Sequence, residues 1–312
     1  NIYRVNTHCG VVDVTEDHSL LNKKLEKIKP NNCVIGETRL AQSYPEFTDL
    51  KEPLHLNKLV IIIYQYEKYE RTLEEKRAII YGFFFGQGTC CRYETKSGVK
   101  YNWALNNQDN LLLNQCLIYL LELYGDETSF KILNSFKSSG VNKLVPYGKI
   151  KYMVNLFRNK FYDNNRLKKV PDEIINGSYD IRLNFFIGYY AADGGKQLKS
   201  KCKNIRFSNK GKIGSCGLYY VVKSLGYQSS IQIRSNKLSI YGISCCLNDS
   251  GNRTIRKPID IIKKINLIRS GDNEFVYDLE TENGNFNAGI GEITLANTDS
   301  IFISFVDYIK EK

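Results

Sequence analysis

Ile80-Tyr81-Gly82-Phe83-Phe84-Phe85-Gly86-Gln87-Gly88 aligns without a gap on Phe186-Ile187-Gly188-Tyr189-Tyr190-Ala191-Ala192-Asp193-Gly194, roughly a hundred residues further along the chain. Both stretches are bulky apolar runs with Gly at the third place, small residues near the end and Gly last. Small residues on one helix face let two backbones approach closely, while large neighbours anchor each helix in its own core. The final Gly suits a helix C-cap. Either stretch alone reads as an ordinary core helix. A matched pair in one chain predicts a duplicated architecture.

The 312 residues are enough for two domains and a sizeable core. No apolar run reaches membrane-spanning length. Neither a signal peptide nor an initiating Met is present, so Asn1 is expected to be a cut edge. The nine cysteines are odd in number and form no CxxC pair, and there are only three histidines. That composition points to unbridged thiols in an intracellular, reducing setting and away from a zinc cluster.

The formal charge of +11 is unevenly placed. Leu73 to Ser250 holds 26 Lys and Arg against 13 Asp and Glu, leaving the remainder at −2. A basic block between near-neutral flanks is the footprint of nucleic-acid binding; a generic solvated basic surface is the alternative. The interleaved runs Lys96 to Trp103 and Arg206 to Lys212 favour binding, because Lys, Arg, Asn and Ser on strands reach phosphates and base edges.

Strand signals occupy Ile2 to Thr7, Val11 to Thr15 and Leu59 to Tyr66. Helices are predicted over Leu73 to Phe85, Asn110 to Tyr124, Glu127 to Phe136, Gly217 to Leu225 and Pro258 to Lys264. Ser229 to Cys245 reads as a hairpin, Asn248 to Arg253 as a linker, and Phe275 to Leu295 as a final set of strands. Two β-rich flanks around a mixed, duplicated middle suggest a nested domain.

The second repeat resembles the LAGLIDADG motif of homing endonucleases, and the first resembles it less completely. The resemblance implies two αββαββα halves whose motif helices pack at a pseudo-twofold axis, each delivering an acidic metal ligand to the scissile phosphates. Asp193 stands at that acidic position in the second copy, as a ligand for Mg²⁺, and Gln87 at the same position in the first. An amide offers a carbonyl oxygen but no charge, which implies nicking at best. Lys168 or Lys169 resembles the basic residue that steadies the phosphate, with Lys237 a weaker candidate for the other half. Lys96, Lys100, Lys201, Lys203, Arg206, Lys210, Lys212, Arg234 and Lys237 are the expected contacts to double-stranded DNA.

The flanks are similar to inteins. Val11 to Leu21 carries a TxxH block with Thr15 and His18, Phe275 to Gly289 resembles the penultimate block, and Leu295-Ala296-Asn297-Thr298 the terminal one. The resemblance implies an α+β multidomain protein: an all-β Hedgehog/intein (HINT) horseshoe split by the endonuclease. His18 would polarise the first scissile peptide and Thr15 orient it. Asp278 would tune the nucleophile, Asn297 cyclise, and Thr298 serve as second nucleophile, with no metal needed for splicing. Against the family pattern, the first block is missing, and Gly284 and Ala296 stand where His is usual, so slow C-terminal cleavage is expected. Thr298-Asp299-Ser300 resembles the palm motif of virus-type family B DNA polymerases, where Asp299 would bind catalytic Mg²⁺.

These readings divide the chain into a HINT N-terminal part at 1–70, an endonuclease domain at 73–250 with halves near 73–165 and 172–250, a HINT C-terminal part at 254–297 and a polymerase segment at 298–312. The expected protein is a monomer that acts on DNA and on its flanking polymerase segments, away from membranes. Two alternatives stay open: a decayed, non-cleaving DNA-binding module, and an active site-specific endonuclease or nickase.

Overall fold

Val5 faces Val12 across an antiparallel hairpin of β1 (Ile2–Asn6) and β2 (Gly10–Thr15), the first elements of the computed structural model. Residues 1–194, 204–234, 237–246, 258–268 and 279–297 are described. The fold is mixed α+β in two units, Asn1–Glu46 with Arg253–Lys312 and, between them in sequence, Phe47–Asn252.

In the outer unit the hairpin is followed by β3 (Leu20–Leu21) and β4 (Lys27–Ile28). The middle unit opens with α1 (Leu56–Tyr64), then runs through α2 (Leu73–Gln87), β5 (Gly88–Thr95), β6 (Gly98–Asn107), α3 (Asn110–Tyr124), β7 (Ser129–Leu133), α4 (Phe136–Ser139), β8 (Asn142–Tyr147) and α5 (Ile150–Phe161). It continues with α6 (Asp172–Ile175), α7 (Tyr179–Asp193), β9 (Asn204–Lys210), α8 (Lys212–Ser224), β10 (Gln228–Arg234) and β11 (Lys237–Cys246). The chain then returns to the outer unit with β12 (Lys264–Ile268), β13 (Asn285–Asn287), β14 (Ile290–Gly291) and β15 (Thr294–Ala296).

Both parts of the outer unit contribute to each of its sheets, ordered β12-β1-β2-β14 and β13-β15-β3-β4. Val5, Val12, Val14, Leu20 and Leu40 pack with Ile262, Ile293 and Leu295 in one core. Neither part can bury this face alone, so the two segments fold as one body. In the middle unit, β5-β6-β8-β7 form a four-stranded sheet and β10-β11-β9 a three-stranded one. The first half reads αββαββα from α2 to α5, with the one-turn helix α4 inserted between β7 and β8. The second shows α7, β9, α8, β10 and β11 among the described residues.

Thr72 and Ser178 cap α2 and α7, accepting from the backbone N–H of Glu75 at 3.2 Å and of Ile181 at 3.5 Å. The Glu75 carboxylate completes a capping box by accepting from Thr72 N at 2.7 Å. Phe84 lies in an aromatic cluster with Trp103, Phe157 and Phe161, while Phe186 and Tyr189 pack on Phe207. Each repeat helix is thus anchored in its own half.

Four expectations are corrected. Leu59 to Tyr66 lies largely in helix α1, not a strand: Leu59, Ile62 and Ile63 share one buried helical face, which overrides the β-branched preference of the two isoleucines. Ser129–Leu133 is strand β7, because Phe130 is buried while Lys131 is exposed and the segment pairs with β8. Pro258 to Lys264 is a turn leading into β12, held by Arg39 Nε donating to both Asp260 oxygens at 2.9 Å. Finally, the units divide near residue 47, not 70. Arg182 donates to both oxygens of Asp49, at 2.7 and 2.8 Å, and Tyr227 Oη donates to Leu54 O at 2.7 Å, fastening the 47–54 segment to α7 and to the residue just before β10. The linker expected at Asn248 to Arg253 lies outside the described residues.

Gly82→Ala or Gly188→Ala is expected to cost about 3 kcal/mol or more, since the new methyl has only backbone to displace. Gly242→Ala in β11, where a Cβ meets nothing nearer than 3.7 Å, is expected to stay within about 0.5 kcal/mol of the parent. Urea unfolding of the three variants measures the difference.

Candidate functional site

The repeat helices touch backbone to backbone. A Cβ at Gly82 would fall 1.9 Å from Phe185 O, and one at Gly188 would fall 2.0 Å from Ile79 O. These contacts exchange under a single offset of 106 residues, which carries Gly82 to Gly188 and Ile79 to Phe185. The same offset carries Thr72 to Ser178 and Gln87 to Asp193. A pseudo-twofold axis therefore passes between α2 and α7. Gly88 and Gly194 close the two helices with ordinary negative φ. They are glycine for a different reason from a left-handed cap: a Cβ would strike the ring of Phe84 at 2.2 Å or of Tyr190 at 2.1 Å.

At the shared C-terminal end, Gln87 Nε2 donates to Asp193 Oδ1 at 3.2 Å. Asn106 Nδ2 donates to Gln87 O at 2.8 Å, fixing that residue's backbone. Partial burial holds the Asp193 carboxyl above the usual carboxylate range; the Gln87 amide and the Lys168 ammonium act in the opposite sense. Lys168 does not project freely toward a ligand. Its Nζ donates to Phe84 O at 2.7 Å, Phe85 O at 3.1 Å and Gly88 O at 2.7 Å, and lies 4.9 Å from the Phe84 ring centroid. Three donors meet three carbonyls at the α2–β5 junction, where Phe84 O also accepts from Gly88 N, and a cation suits that end of the helix dipole. Burial pushes the Lys168 amine down to about 8, offset by Asp193 and Cys90. Lys169 is turned away, with its Nζ 3.7 Å from Asp172.

Lys96 and Lys100 are exposed at the β5–β6 turn, and Arg206, Ser208 and Lys210 lie on the exposed face of β9. Across β11 they stand opposite Ser244, Gly242 and Ile240, which continue that outer face. Lys212 is exposed at the start of α8. Arg234 and Lys237 pair at the β10–β11 turn, while Lys201 and Lys203 lie outside the described residues.

In the outer unit, Thr15 O accepts from His18 N at 3.2 Å in the turn after β2, and the His18 ring meets Phe286 edge-on at 6.5 Å. Ala296 N donates to Ser19 O at 3.2 Å, so the neighbours of His18 and Asn297 are joined directly. Asp278, Thr298 and Asp299 lie outside the described residues. Sequence reasoning missed Thr281: its carbonyl accepts from Asn297 Nδ2 at 3.2 Å and its hydroxyl donates to Asn297 Oδ1 at 3.3 Å. No spacing rule marks such a residue, because the contact spans a 16-residue excursion. The eight described cysteines are unbridged, and among the described residues no helix is long and apolar enough to cross a membrane.

No family model matches the chain. It is 46% identical, over an alignment of 315 positions that covers all of this chain, to the DNA polymerase of Acanthamoeba polyphaga mimivirus, and is homologous to that segment; it spans 16% of that protein. Among solved structures, mesophilic variants of the homing endonuclease I-DmoI are similar at TM-score 0.44 and 18% identity, covering 57% of this chain and 86% of theirs. An I-DmoI variant in complex with its target DNA, nicked in the coding strand and with Mn present, gives 0.44 and 17%, with 57% and 92% covered. The homing endonuclease I-WcaI bound to its DNA recognition sequence gives 0.34 and 13%, with 62% and 84% covered.

Lys168→Met is expected to lower stability by about 2–4 kcal/mol, because it strips the donor from three carbonyls at the end of α2. Lys169→Met, losing one partly exposed ion pair, is expected to cost less than about 1 kcal/mol. Thermal unfolding of the two variants reads the contrast; equal losses would refute the capping role of Lys168.

Proposed function

We propose that the middle unit is a DNA-binding module of LAGLIDADG design with an impaired cleavage centre, enclosed in sequence by an intein-type splicing shell within a family B DNA polymerase. One observation carries the first part: the exchange-related glycine contacts that bring Gln87 against Asp193 at the paired ends of α2 and α7. The excess of Lys and Arg in the middle unit, and its placement on exposed strand faces, supports a polyanionic partner. Homology to a stretch of a viral DNA polymerase supports the setting.

The donor set at the helix ends suits one Mg²⁺ ion better than two. Asp193 supplies one carboxylate, and Gln87 supplies an oxygen only when its amide turns over. Among the described residues, no group of three or more His, Cys, Asp or Glu side chains is placed to hold a metal. An ion there would lean on DNA phosphate and water for its remaining contacts and would supply positive charge against a phosphodiester oxygen. Asp193 would hold such a cation; Gln87 and Lys168 set the charge and position of that carboxylate. A centre with one carboxylate favours strand-limited cutting or none over double-strand cleavage.

For the outer unit, the interleaving of both chain parts in two sheets supports a HINT-type shell in which His18 and Asn297 flank the paired strands β3 and β15. In this reading Asn297 releases the segment after it by cyclisation, Thr298 is the second nucleophile and Asp278 tunes it, while Asp299 belongs to the polymerase palm.

Retention on duplex DNA carrying the uninterrupted polymerase site is expected to fall steeply between 50 and 200 mM salt, by about a thousandfold for six or more phosphate contacts. With Mg²⁺, the products are expected to be nicked duplex or none, and Asp193→Asn is expected to remove any nick while leaving retention intact. Efficient double-strand cleavage, or cleavage that survives Asp193→Asn, would overturn the impaired-centre reading; salt-insensitive retention would overturn DNA binding.

A further inference from the structure

Asn297 is held at both ends of its side-chain amide by one residue. Thr281 O accepts from Nδ2 at 3.2 Å, and Thr281 Oγ1 donates to Oδ1 at 3.3 Å. Two further bonds fix the frame: Asn297 N donates to Gly284 O at 2.9 Å, and Gly284 N donates to Thr281 O at 3.0 Å, closing the turn from 281 to 284. Gly284 allows that turn because its φ is +68°. The Thr281 hydroxyl has a second acceptor, Asn285 O at 2.8 Å, so its single proton serves two oxygens. Among the described residues, no other side chain hydrogen-bonds the Asn297 amide.

We propose that Thr281 is the positioning residue for cyclisation of Asn297, an inference that rests on the splicing reading above. In the step, Asn297 Nδ2 bonds to its own main-chain carbonyl carbon and the C–N bond to Thr298 breaks. The bonding pair leaves with the Thr298 nitrogen, and the proton lost from Nδ2 ends on that amine. The products are a succinimide at 297 and a new amino terminus at 298. As Nδ2 gives up its proton, negative charge builds on Oδ1, and the Thr281 hydroxyl turns from Asn285 O toward it. That hydrogen bond is stronger in the transition state than in the resting amide, which is the condition for a rate effect. The Thr281 carbonyl meanwhile keeps Nδ2 from rotating away. Gly284 and Ala296 bring no side-chain donor to this place, so the hydroxyl does orienting work that an imidazole would otherwise share.

The test uses the full 312-residue chain and follows release of residues 298–312 by intact mass. Thr281→Val, close in shape but without the hydroxyl, is expected to slow release about tenfold or more. Thr281→Ala is expected to slow it similarly without adding a branch, Thr281→Ser to restore it to within about threefold, and Asn297→Ala to abolish it. Melting curves matching the parent show that the shell is intact. Release by both hydroxyl-free variants at the parental rate, or failure of serine to restore it, overturns the role of Thr281 and leaves the splicing reading standing. A parental chain that never releases the tail overturns the splicing reading, and this proposal falls with it.

Discussion

The middle unit is governed by the approach of two helices to within backbone contact. Only a hydrogen fits between Gly82 and the Phe185 carbonyl, and between Gly188 and the Ile79 carbonyl. Side-chain packing normally separates helices by 8–10 Å; removing the side chains at the crossing lets main chains meet and leaves little freedom of register. Each helix is also committed to an aromatic core of its own, Phe84 to one half and Phe186 to the other. With both faces fixed, the ends have no alternative arrangement. Residues 87 and 193 must meet there, whatever their chemistry.

That forced meeting explains why the charge balance at the site matters. Two carboxylates so close would repel unless a cation lay between them. Here one is replaced by an amide that donates to the other, so the pair is self-satisfied. Lys168 adds its positive charge from behind, spending its donors on carbonyls at the α2–β5 junction. The same lysine therefore closes a helix and biases the carboxylate beyond it. A residue can look like a ligand-facing base in sequence and serve the backbone instead.

The outer unit answers to a different constraint. Its strands are short, and no hydrophobic face is complete within one part of the chain. Leu20 finds its partner at Leu295, and Val5 lies between strands from opposite parts. This makes the unit tolerant of a long excursion between residues 46 and 253, since a separate core folds within that excursion. The same interleaving lays the turn that carries His18 alongside β15, whose last residue precedes Asn297.

The sequence by itself determined the repeat, both repeat helices, the basic bias of the middle and the pairing of Gln87 with Asp193. All of these are encoded by spacing or by residues within one turn of each other, where local sterics and capping act directly. Helix α1, strand β7 and the turn at 258–261 escaped it, because the deciding partners are α7 and α3, β8, and Arg39, all outside the segment they decide. Lys168 and Thr281 were decided only by tertiary structure: their roles lie in hydrogen bonds to carbonyls and amides that no local pattern brings together. Periodicity reports which face of an element is buried; it carries no record of which distant backbone group needs a donor.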